Sequence, residues 1–311
     1  MMIVEEGIAK KSIRTSVLIC TRNRSEFLPH AVRSVLDNSQ EIEELIVVDQ
    51  STDERSRNAL TPYVSDPRLV YIPDNHIGKS IALNIGLNIA RGDVVAMTDD
   101  DCTVSKSWPS NLVEPFSKFN NLGISFGDVR AVPYESNNGF IPEYYIKSDK
   151  LITNIRQLKE PLGIGANMAI NKYIALSIGG FDEVLGPGSK FLTAEDNDIA
   201  IRFLIREIPI FQVTNSEVIH YGFRTKLESG YLFRYSYYGM GASYIKLLRC
   251  KNIDAYRVYL KQLISNTIFY CIKRFIMFRV PIGISRPMYF IKGSFRGALL
   301  GLNDFTLKYS K

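Results

Sequence analysis

The chain has 311 residues, of which 46% are hydrophobic and 23% charged, so it has the composition of a globular protein and room for one large domain or two small ones. No CxxC spacing occurs among its four cysteines, which argues against a disulfide framework or a zinc site and favours reduced thiols in the cytoplasm; they are Cys20, Cys102, Cys250 and Cys271. The N-terminal sequence lacks the apolar core of a signal peptide.

The net charge of +6 is unevenly distributed along the chain. Residues 226–311 contain 15 Lys and Arg against 3 Asp and Glu, a balance of +12. Residues 1–225 hold the other 23 basic and 29 acidic residues, a balance of −6. A basic segment of this kind predicts binding to an anionic surface, either a membrane or a nucleic acid.

The first hundred residues alternate between β-branched apolar runs and helical patterns. Strands are predicted at residues 15–21, 43–49, 68–73 and 93–98, and helices at 26–39 and 78–92. Gly92 is expected to close the second helix. Strands that alternate with helices indicate a parallel sheet, in which ligands bind beyond the carboxyl ends of the strands. Asp49 and the triplet Asp99–Asp101 both stand at such ends.

The pattern weakens between about residues 110 and 160 and then resumes. A helix is predicted to begin at Glu195, with acidic residues in its first turn, where the helix dipole favours them. Residues 209–222 predict two short strands, the second ending on His220. Residues 226–311 predict helices that are rich in aromatic and basic side chains.

The most apolar segment, residues 260–280, lies in this basic region. Its uncharged core, Gln262–Ile272, is about half of the roughly 20 residues needed to span a bilayer. The basic residues that flank it are Lys261, Lys273, Arg274 and Arg279. This pattern favours an amphipathic helix at a membrane interface over one that crosses the membrane. An anionic membrane surface is the expected partner. Nucleic acid is not expected, because the first 225 residues are acidic and contain no recognisable nucleic-acid module.

Three consecutive carboxylates, Asp99, Asp100 and Asp101, follow the predicted strand at 93–98. Adjacent anions repel and are costly to bury unpaired, so a positive partner is expected. One interpretation is a solvated acidic turn. The other is a divalent-cation site, because oxygen ligands suit Mg²⁺ and Mn²⁺, and magnesium commonly shares its coordination between carboxylates and substrate phosphates.

Two further side chains allow both a structural and a functional interpretation. Asp49 either caps its turn or accepts hydrogen bonds from a base or ribose. His220 is either a partly buried histidine with satisfied ring nitrogens or a metal ligand, since neutral imidazole also binds Mn²⁺.

Four blocks stand in a fixed order: VLICTRNRSEFLPHAVRSVL, LIVVDQSTD, GKSIALNIGLNIARGDVVAMTDDDCTV and GIGANMAINKYIALSIGGFDEVLGPGSKFLTAEDNDIAIRFL. Together they resemble the family 2 glycosyltransferases. The resemblance implies an α/β fold of the GT-A type, which is Rossmann-like with a mostly parallel central sheet flanked by helices, followed here by the helical, basic C-terminal region. The implied parts are a tail at 1–12, a catalytic domain at 13–225 with a nucleotide-sugar half (13–108) and an acceptor half (109–225), and the C-terminal region at 226–311.

The resemblance implies a nucleotide-sugar site at the strand ends. The residues that would bind the nucleotide are Thr21, Arg22, Asn23, Asp49 and Gln50. Lys79 would reach a phosphate, or else it is a solvated lysine at the start of its helix.

The resemblance also implies a metal site. Asp99 and Asp101, as a DxD pair, would hold Mn²⁺ or Mg²⁺ against the diphosphate of the donor, with His220 as a third ligand. Asp99 and Asp100 would also contact the donor itself.

Glu195 and Asp196 either cap their helix or act in catalysis. By the resemblance, Asp196 is the catalytic base. The acceptor hydroxyl loses its proton as it attacks C1 of the sugar from the face opposite the leaving diphosphate, so transfer inverts C1. Glu195 would contact the acceptor beside it, and Asp198 is expected to face solvent or a partner at the helix start.

The acceptor is expected to meet five residues: Gly165, Asn167, Phe181, Asp182 and Trp108. Each has a plainer alternative. The glycines of GIGANMA allow a close backbone approach but also suit a tight turn, and the aromatic side chains of Phe181 and Trp108 suit a core equally well.

The sequence therefore predicts a metal-dependent, inverting glycosyltransferase of polysaccharide or glycolipid assembly. Its donor would be a UDP-sugar first, with dTDP- and GDP-sugars as alternatives, and its acceptor a glycan or a lipid-linked glycan. Its expected location is the cytoplasm, peripheral on the inner face of the plasma membrane. The alternatives are a non-catalytic scaffold of the same fold and a nucleotidyltransferase. A dehydrogenase is disfavoured because no GxGxxG follows the first strand.

Overall fold

A computed structural model describes residues 13–37, 42–276 and 285–310. The tail predicted at 1–12 lies outside these residues, as does the end of the predicted interfacial segment, from 277 to 280.

The strands are β1 (Thr15–Thr21), β2 (Glu44–Asp49), β3 (Leu69–Pro73), β4 (Val94–Asp99), β5 (Cys102–Val104), β6 (Ile124–Ala131), β7 (Gly139–Phe140), β8 (Lys150–Ile152), β9 (Met168–Asn171), β10 (Ile210–His220) and β11 (Arg224–Thr225). The helices are α1 (Leu28–Leu36), α2 (Arg55–Ala59), α3 (Lys79–Ile89), α4 (Trp108–Lys118), α5 (Lys172–Ser177), α6 (Glu195–Ile205), α7 (Lys226–Ile245), α8 (Ile253–Ile264), α9 (Tyr270–Ile276) and α10 (Ser285–Ala298). A π-helical turn, Ser265–Phe269, joins α8 to α9.

One large sheet runs in the order β3-β2-β1-β4-β9-β6-β10-β5, with β8 paired to β10. The first four strands are mutually parallel, as predicted, and α1 and α3 connect them across the faces of the sheet. The second half is mixed, because β9 is antiparallel to both β4 and β6, and β5 is antiparallel to β10. The register aligns Thr21 with Asp49 and Cys20 with Asp99, so the carboxyl ends of β1, β2 and β4 meet.

Helices cover both faces of the parallel half. Along β1, successive side chains point to opposite faces, so Leu18 joins the core formed with α3 and α6, whereas Val17 and Ile19 join the core formed with α1 and α4. All three are at most 1% exposed. Burial on both faces explains why this strand reads as a continuous apolar run rather than an alternating one.

Two local predictions are wrong. Residues 210–220 form the single strand β10, not two strands; its pairing with β6 is irregular between Gln212 and Glu217, and this bulge looks like a turn in the sequence. Helix α3 ends at Ile89, and Gly92 does not adopt a left-handed conformation. Gly92 is instead close to β1, where a Cβ would lie 2.4 Å from the backbone nitrogen of Ser16.

The C-terminal region is helical and packs on the rest of the chain. Helices α7 and α10 approach so closely that a Cβ at Gly241 would lie 2.1 Å from the carbonyl oxygen of Phe290. The last residues return to the sheet domain, where the Tyr309 backbone N–H donates to Asp182. Among the residues described, no helix combines the length and apolar character that a membrane crossing requires.

Candidate active site

A cavity of about 300 Å³ opens beyond the aligned strand ends. Its lining includes many of the predicted nucleotide-sugar residues together with two arginines: Thr21, Arg22, Gln50, Lys79, Asp99, Asp100, Arg24 and Arg224. This is the place where a parallel sheet is expected to bind a ligand.

Each carboxylate of the Asp triplet lies close to a basic side chain. Lys79 Nζ lies 2.5 Å from Asp99 Oδ1, while one Arg24 nitrogen lies 2.9 Å from Asp100 Oδ1 and 2.6 Å from Asp101 Oδ2. Thr21 also donates to Asp100 Oδ2 at 2.7 Å. Burial nevertheless raises the pKa of Asp100 to about 6, because desolvation outweighs the favourable charge of Arg24. These contacts exclude the alternative of a freely solvated acidic turn.

His220 and Asp101 form the pair that best fits a metal ion. His220 Nδ1 lies 2.8 Å from the Pro142 carbonyl oxygen, which can only accept a hydrogen bond, so Nδ1 carries a proton. His220 Nε2 then faces Asp101 Oδ1 at 3.1 Å. A neutral imidazole would put two lone pairs against each other there, so a cation belongs between them, either a second proton or a metal.

Electrostatics agree with this geometry. Burial opposes ionisation of both groups, but the hydrogen bond and the opposite charge prevail, lowering the pKa of Asp101 and raising the pKa of His220. Asp101, Cys102 and His220 are all buried, and their potential ligand atoms lie within 4.8 Å of one another. The Asp99 carboxylate is bound by Lys79 instead.

Two of the predicted nucleotide residues, Asp49 and Gln50, hold the chain that follows β2. Asp49 is 4% exposed and accepts hydrogen bonds from the Ser51 N–H and the Tyr71 hydroxyl, at 2.8 and 2.7 Å. Gln50 bridges Asp74 and the Gly78 N–H. Asp49 therefore orders its turn.

The loop after β1 is held in the same way. Asn23 has a left-handed backbone, with φ of 57°, and its side-chain oxygen accepts from the Thr52 N–H at 3.0 Å. This bond ties the loop after β1 to the loop after β2. Arg22 is exposed at the cavity edge.

Glu195 and Asp196 begin α6 beside the cavity. The preceding residue, Ala194, has a left-handed backbone with φ of 76°, a strained conformation for a residue other than glycine. Asp196 accepts from the Gly165 N–H at 2.8 Å and from the Asn197 N–H at 2.6 Å. Burial raises the pKa of Asp196, and burial together with the charge of Asp196 raises the pKa of Glu195.

Lys79 connects the two parts of the site. Its ammonium lies 2.5 Å from Asp99 and 3.9 Å from Glu195. Burial alone would lower the pKa of Lys79, but the two carboxylates outweigh burial and raise this pKa above its ordinary value. A narrow recess beside it is lined by Asp99 and Asp196 together with Gly165 and Phe181. The predicted donor and base residues therefore share one continuous site.

The structure does not bring three of the predicted acceptor residues to this site. Trp108 is fully buried and donates its indole N–H to Asn167 at 2.8 Å. Asn167 is itself fully buried and donates to the carbonyl oxygens of Asp128 and Ser216. Neither side chain is accessible to a sugar. The predicted acceptor contacts of Trp108 and Asn167 are therefore wrong, and both residues pack in the interior.

Asp182 and Asp198 form a buried ionic cluster that the sequence did not reveal. The Lys246 ammonium lies 2.6 Å from Asp182 and 2.7 Å from Asp198, and all three are at most 1% exposed. Asp182 is thus a structural residue rather than an acceptor contact, and the expectation that Asp198 faces solvent or a helix-start partner is wrong.

Arg24 and Arg224 are the site residues that sequence reasoning missed. Arg24 lies two positions after Arg22 in the turn after β1, and Arg224 lies four positions after His220, just beyond the predicted strands at 209–222. The available signal was the pair of basic residues Arg22 and Arg24 directly after β1. The carboxyl end of this strand was expected to lie beside the acidic ends of the neighbouring strands. Arg224 lies 3.5 Å from Asp101 Oδ2.

Comparisons with known proteins place this site in a family. The model of "Glycosyl transferase family 2" matches residues 16–179, more than half of the chain. The glucosyl-dolichyl phosphate glucuronosyltransferase of Haloferax volcanii is 26% identical over 268 residues, covering 81% of this chain and 83% of that protein. The putative teichuronic acid biosynthesis glycosyltransferase TuaG of Bacillus subtilis is 35% identical over 107 residues, covering 33% and 40%.

Solved structures share the fold. S. aureus TarS 1-349 in complex with UDP-GlcNAc has a TM-score of 0.64 at 15% identity, covering 90% of this chain and 79% of that one. The mannosyltransferase PcManGT of Pyrobaculum calidifontis, in complex with GDP-Man and Mn²⁺, has a TM-score of 0.61 at 14% identity, covering 92% and 87%.

The chain is a glycosyltransferase with the GT-A fold and belongs to glycosyl transferase family 2. The predicted family and fold are thereby confirmed.

Proposed function

We propose that this enzyme is a metal-dependent, inverting glycosyltransferase that uses a nucleotide-diphosphate sugar. The observation that carries the proposal is the position of Lys79, which lies between Asp99 at the cavity and Glu195–Asp196 at the recess. A sugar bound at this point would have its diphosphate near Lys79 and the arginines, and its C1 near Asp196.

The donor is proposed to be a UDP-sugar, with dTDP- and GDP-sugars as the alternatives. Arg24, Lys79 and Arg224 give the cavity the cationic groups that a diphosphate requires. TarS with UDP-GlcNAc and PcManGT with GDP-Man show that this fold accommodates both kinds of nucleotide.

Asp101 and His220 would hold Mn²⁺ or Mg²⁺, because their facing acceptor atoms require a cation and the Pro142 carbonyl orients the imidazole. Asp99 would join them once a donor phosphate engages Lys79. When bound, the cation supplies positive charge that stabilises the leaving diphosphate.

Asp196 is proposed as the catalytic base. Two backbone N–H groups fix its carboxylate, and the burial that raises its pKa makes it a stronger base than an exposed aspartate. The acceptor oxygen forms a bond to C1 as the bond from C1 to the diphosphate oxygen breaks, and the hydroxyl proton passes to Asp196. Glu195 would contact the acceptor from the same turn.

The acceptor is proposed to be a glycan or a lipid-linked glycan in polysaccharide or glycolipid assembly, at the inner face of the plasma membrane. The name of the H. volcanii relative includes a dolichyl phosphate, a lipid carrier. In this chain, α8, the π-helical turn and α9 expose one apolar stripe at a spacing of four residues: Leu260, Ile264, Ile268 and Ile272. Basic side chains on α8, Arg257 and Lys261, flank the stripe, as in helices that lie at anionic membrane surfaces.

A non-catalytic scaffold and a nucleotidyltransferase are the competing functions. A release assay distinguishes them, with purified protein, Mn²⁺ and a panel of UDP-, GDP- and dTDP-sugars. Release of nucleoside diphosphate from one donor is expected. Binding without any release would favour the scaffold, and release of pyrophosphate from a nucleoside triphosphate and a sugar phosphate would indicate nucleotidyl transfer.

A further inference from the structure

The first half of α7 lies on the surface of the protein beside the active site. All buried side chains of this helix lie at or after Tyr238, and a Cβ at Gly230 would meet nothing within 4 Å. Residues 226–237, called the α7 arm below, are nevertheless rich in aromatic side chains. An ordered helix segment that exposes aromatic rings in this way is poorly explained by folding alone.

Both ends of the α7 arm lie next to residues in or near the proposed active site. Just before the arm, Arg224 lies 3.5 Å from Asp101 and lines the cavity. At its other end, the Thr193 hydroxyl donates to the Tyr235 carbonyl oxygen at 3.0 Å, and Thr193 is three residues before Asp196. The arm therefore extends from the proposed diphosphate side of the site to the side of the proposed base.

One face of the α7 arm carries Leu227, Tyr231 and Tyr235, spaced four residues apart. The rings of Tyr231 and Tyr235 stack at 6.2 Å between centroids with an angle of 20° between their planes. Tyrosine combines an apolar ring with a hydroxyl at its tip. A pyranose ring has the complementary character, with C–H groups on its faces and hydroxyls at its edge.

The arm is rigid enough to act as a binding surface. Its continuation packs on α10 with backbone contact, since a Cβ at Gly293 would lie 2.0 Å from the Tyr238 carbonyl oxygen. Its first turn is closed by a capping box in which Thr225 and Glu228 exchange hydrogen bonds. A helix backbone held at both ends in this way loses little further freedom when a ligand binds.

We propose that the α7 arm is a subsite for a saccharide acceptor, in which the exposed rings of Tyr231 and Tyr235 contact the C–H groups on one face of a sugar. This rests on the proposed transferase function and names a part of the acceptor that it recognises. The charge of the arm favours a sugar over an anionic membrane. It carries two basic residues, Lys226 and Arg234, and the acidic Glu228, so nearly all the positive charge of the C-terminal region lies elsewhere.

The test measures saccharide binding without requiring turnover. Saturation-transfer NMR would be recorded on the full-length protein with Mn²⁺ and UDP, using methyl pyranosides of glucose, galactose, mannose and N-acetylglucosamine and their disaccharides. At least one saccharide should bind the wild type. The double variant Tyr231→Ala/Tyr235→Ala should weaken that binding about tenfold, the scale expected for losing two aromatic contacts. Tyr231→Phe/Tyr235→Phe should retain most of it, because the rings remain.

Tyr256→Ala is the matched control, because Tyr256 is an exposed tyrosine on α8, outside the arm. It should bind the saccharide as the wild type does, and thermal melting should show all variants folded. The proposal is overturned if no saccharide in the panel binds the wild type, or if the double alanine variant binds as the wild type does. It is also overturned if that variant loses liposome flotation and keeps saccharide binding. Nucleotide-sugar binding, measured on the same proteins, reports separately on the proposed function.

Discussion

The Lys246 ammonium lies 2.6 Å from the Asp182 carboxylate in the interior of the protein, and both side chains are 1% exposed. The same ammonium lies 2.7 Å from Asp198, which is in α6 two residues after the proposed base. Asp182 also accepts the backbone N–H of Tyr309. The C-terminal region is thereby attached, through buried charges, to the helix that carries Asp196.

Lys246→Met should strongly destabilise the enzyme. Removal of the ammonium leaves Asp182 without its ion-pair partner and Asp198 with only Arg202, at 3.7 Å, and breaking a buried pair in this way costs about 3–5 kcal/mol of unfolding free energy. Urea unfolding measures the change, with the exposed Lys261→Met as control. Adding Asp182→Asn should recover part of the loss, because the carboxylate left without a partner is then gone. A Lys246→Met protein as stable as the control would contradict the importance of the cluster.

The carboxyl-end residues could be predicted because each follows a β-branched apolar run, and parallel strands align their ends. Asp49, Asp99 and Asp101 were located in this way. The buried cluster could not, since Lys246 and Asp182 are 64 positions apart and no local pattern distinguishes a buried lysine from a solvated one. The acceptor contact predicted for Trp108 was wrong for a related reason: the sequence alone does not tell whether a lone tryptophan points into the core or toward a ligand.

Asp101→Ala should abolish metal-dependent binding of the donor. Asp101 pairs with His220 at the proposed metal site, and its loss removes the carboxylate that faces the imidazole and so weakens the ligand set. Isothermal titration with UDP-sugar, with Mn²⁺ and then with EDTA, measures the effect. Asp53→Ala, which removes an exposed surface ion pair with Arg55, is the control. Wild-type affinity for the donor that is the same with and without EDTA would rule out the metal assignment.

Asp196→Asn should leave donor binding near that of the wild type and reduce sugar transfer by about 10²-fold or more, a typical scale for loss of a general base. Asparagine keeps the shape of the side chain but cannot accept the proton. Rates of transfer and donor affinity are measured separately. A variant that transfers at the wild-type rate would move the base to another residue, and Glu195→Gln would be the next variant to test.

The pH dependence of transfer should show an acid limb above the ordinary range of a carboxylate. Burial raises the pKa values of Glu195 and Asp196, and the base must be ionised to accept a proton, so the rate falls as pH drops through the raised values of this pair. Plots of kcat/KM against pH test this. In Glu195→Gln, the limb should remain above the ordinary range of an aspartate, because burial, and not Glu195, is the first cause of the raised pKa of Asp196. A limb that stays near pH 4 in the wild type would contradict the assignment.

Membrane attachment is best tested with point substitutions, because ending the chain near residue 226 would remove Lys246, the buried cation that pairs with both Asp182 and Asp198. The triple variant Ile264→Gln/Ile268→Gln/Ile272→Gln should lose most flotation with anionic liposomes, since these side chains are about half exposed and supply the apolar contact. Val64→Gln, at an exposed apolar position of the sheet domain, is the control.

The electrostatic part of this attachment has its own signature. Each basic side chain near an anionic surface contributes about 1 kcal/mol, and salt weakens the attraction. Arg257→Gln/Lys261→Gln should therefore reduce flotation at low salt and change it little at high salt, where the apolar stripe provides what binding remains. The measurement is flotation with neutral and anionic liposomes at both salt concentrations. If the triple glutamine variant floats as well as the wild type, the stripe is not the anchor, and its apolar side chains become candidates for contact with a protein partner.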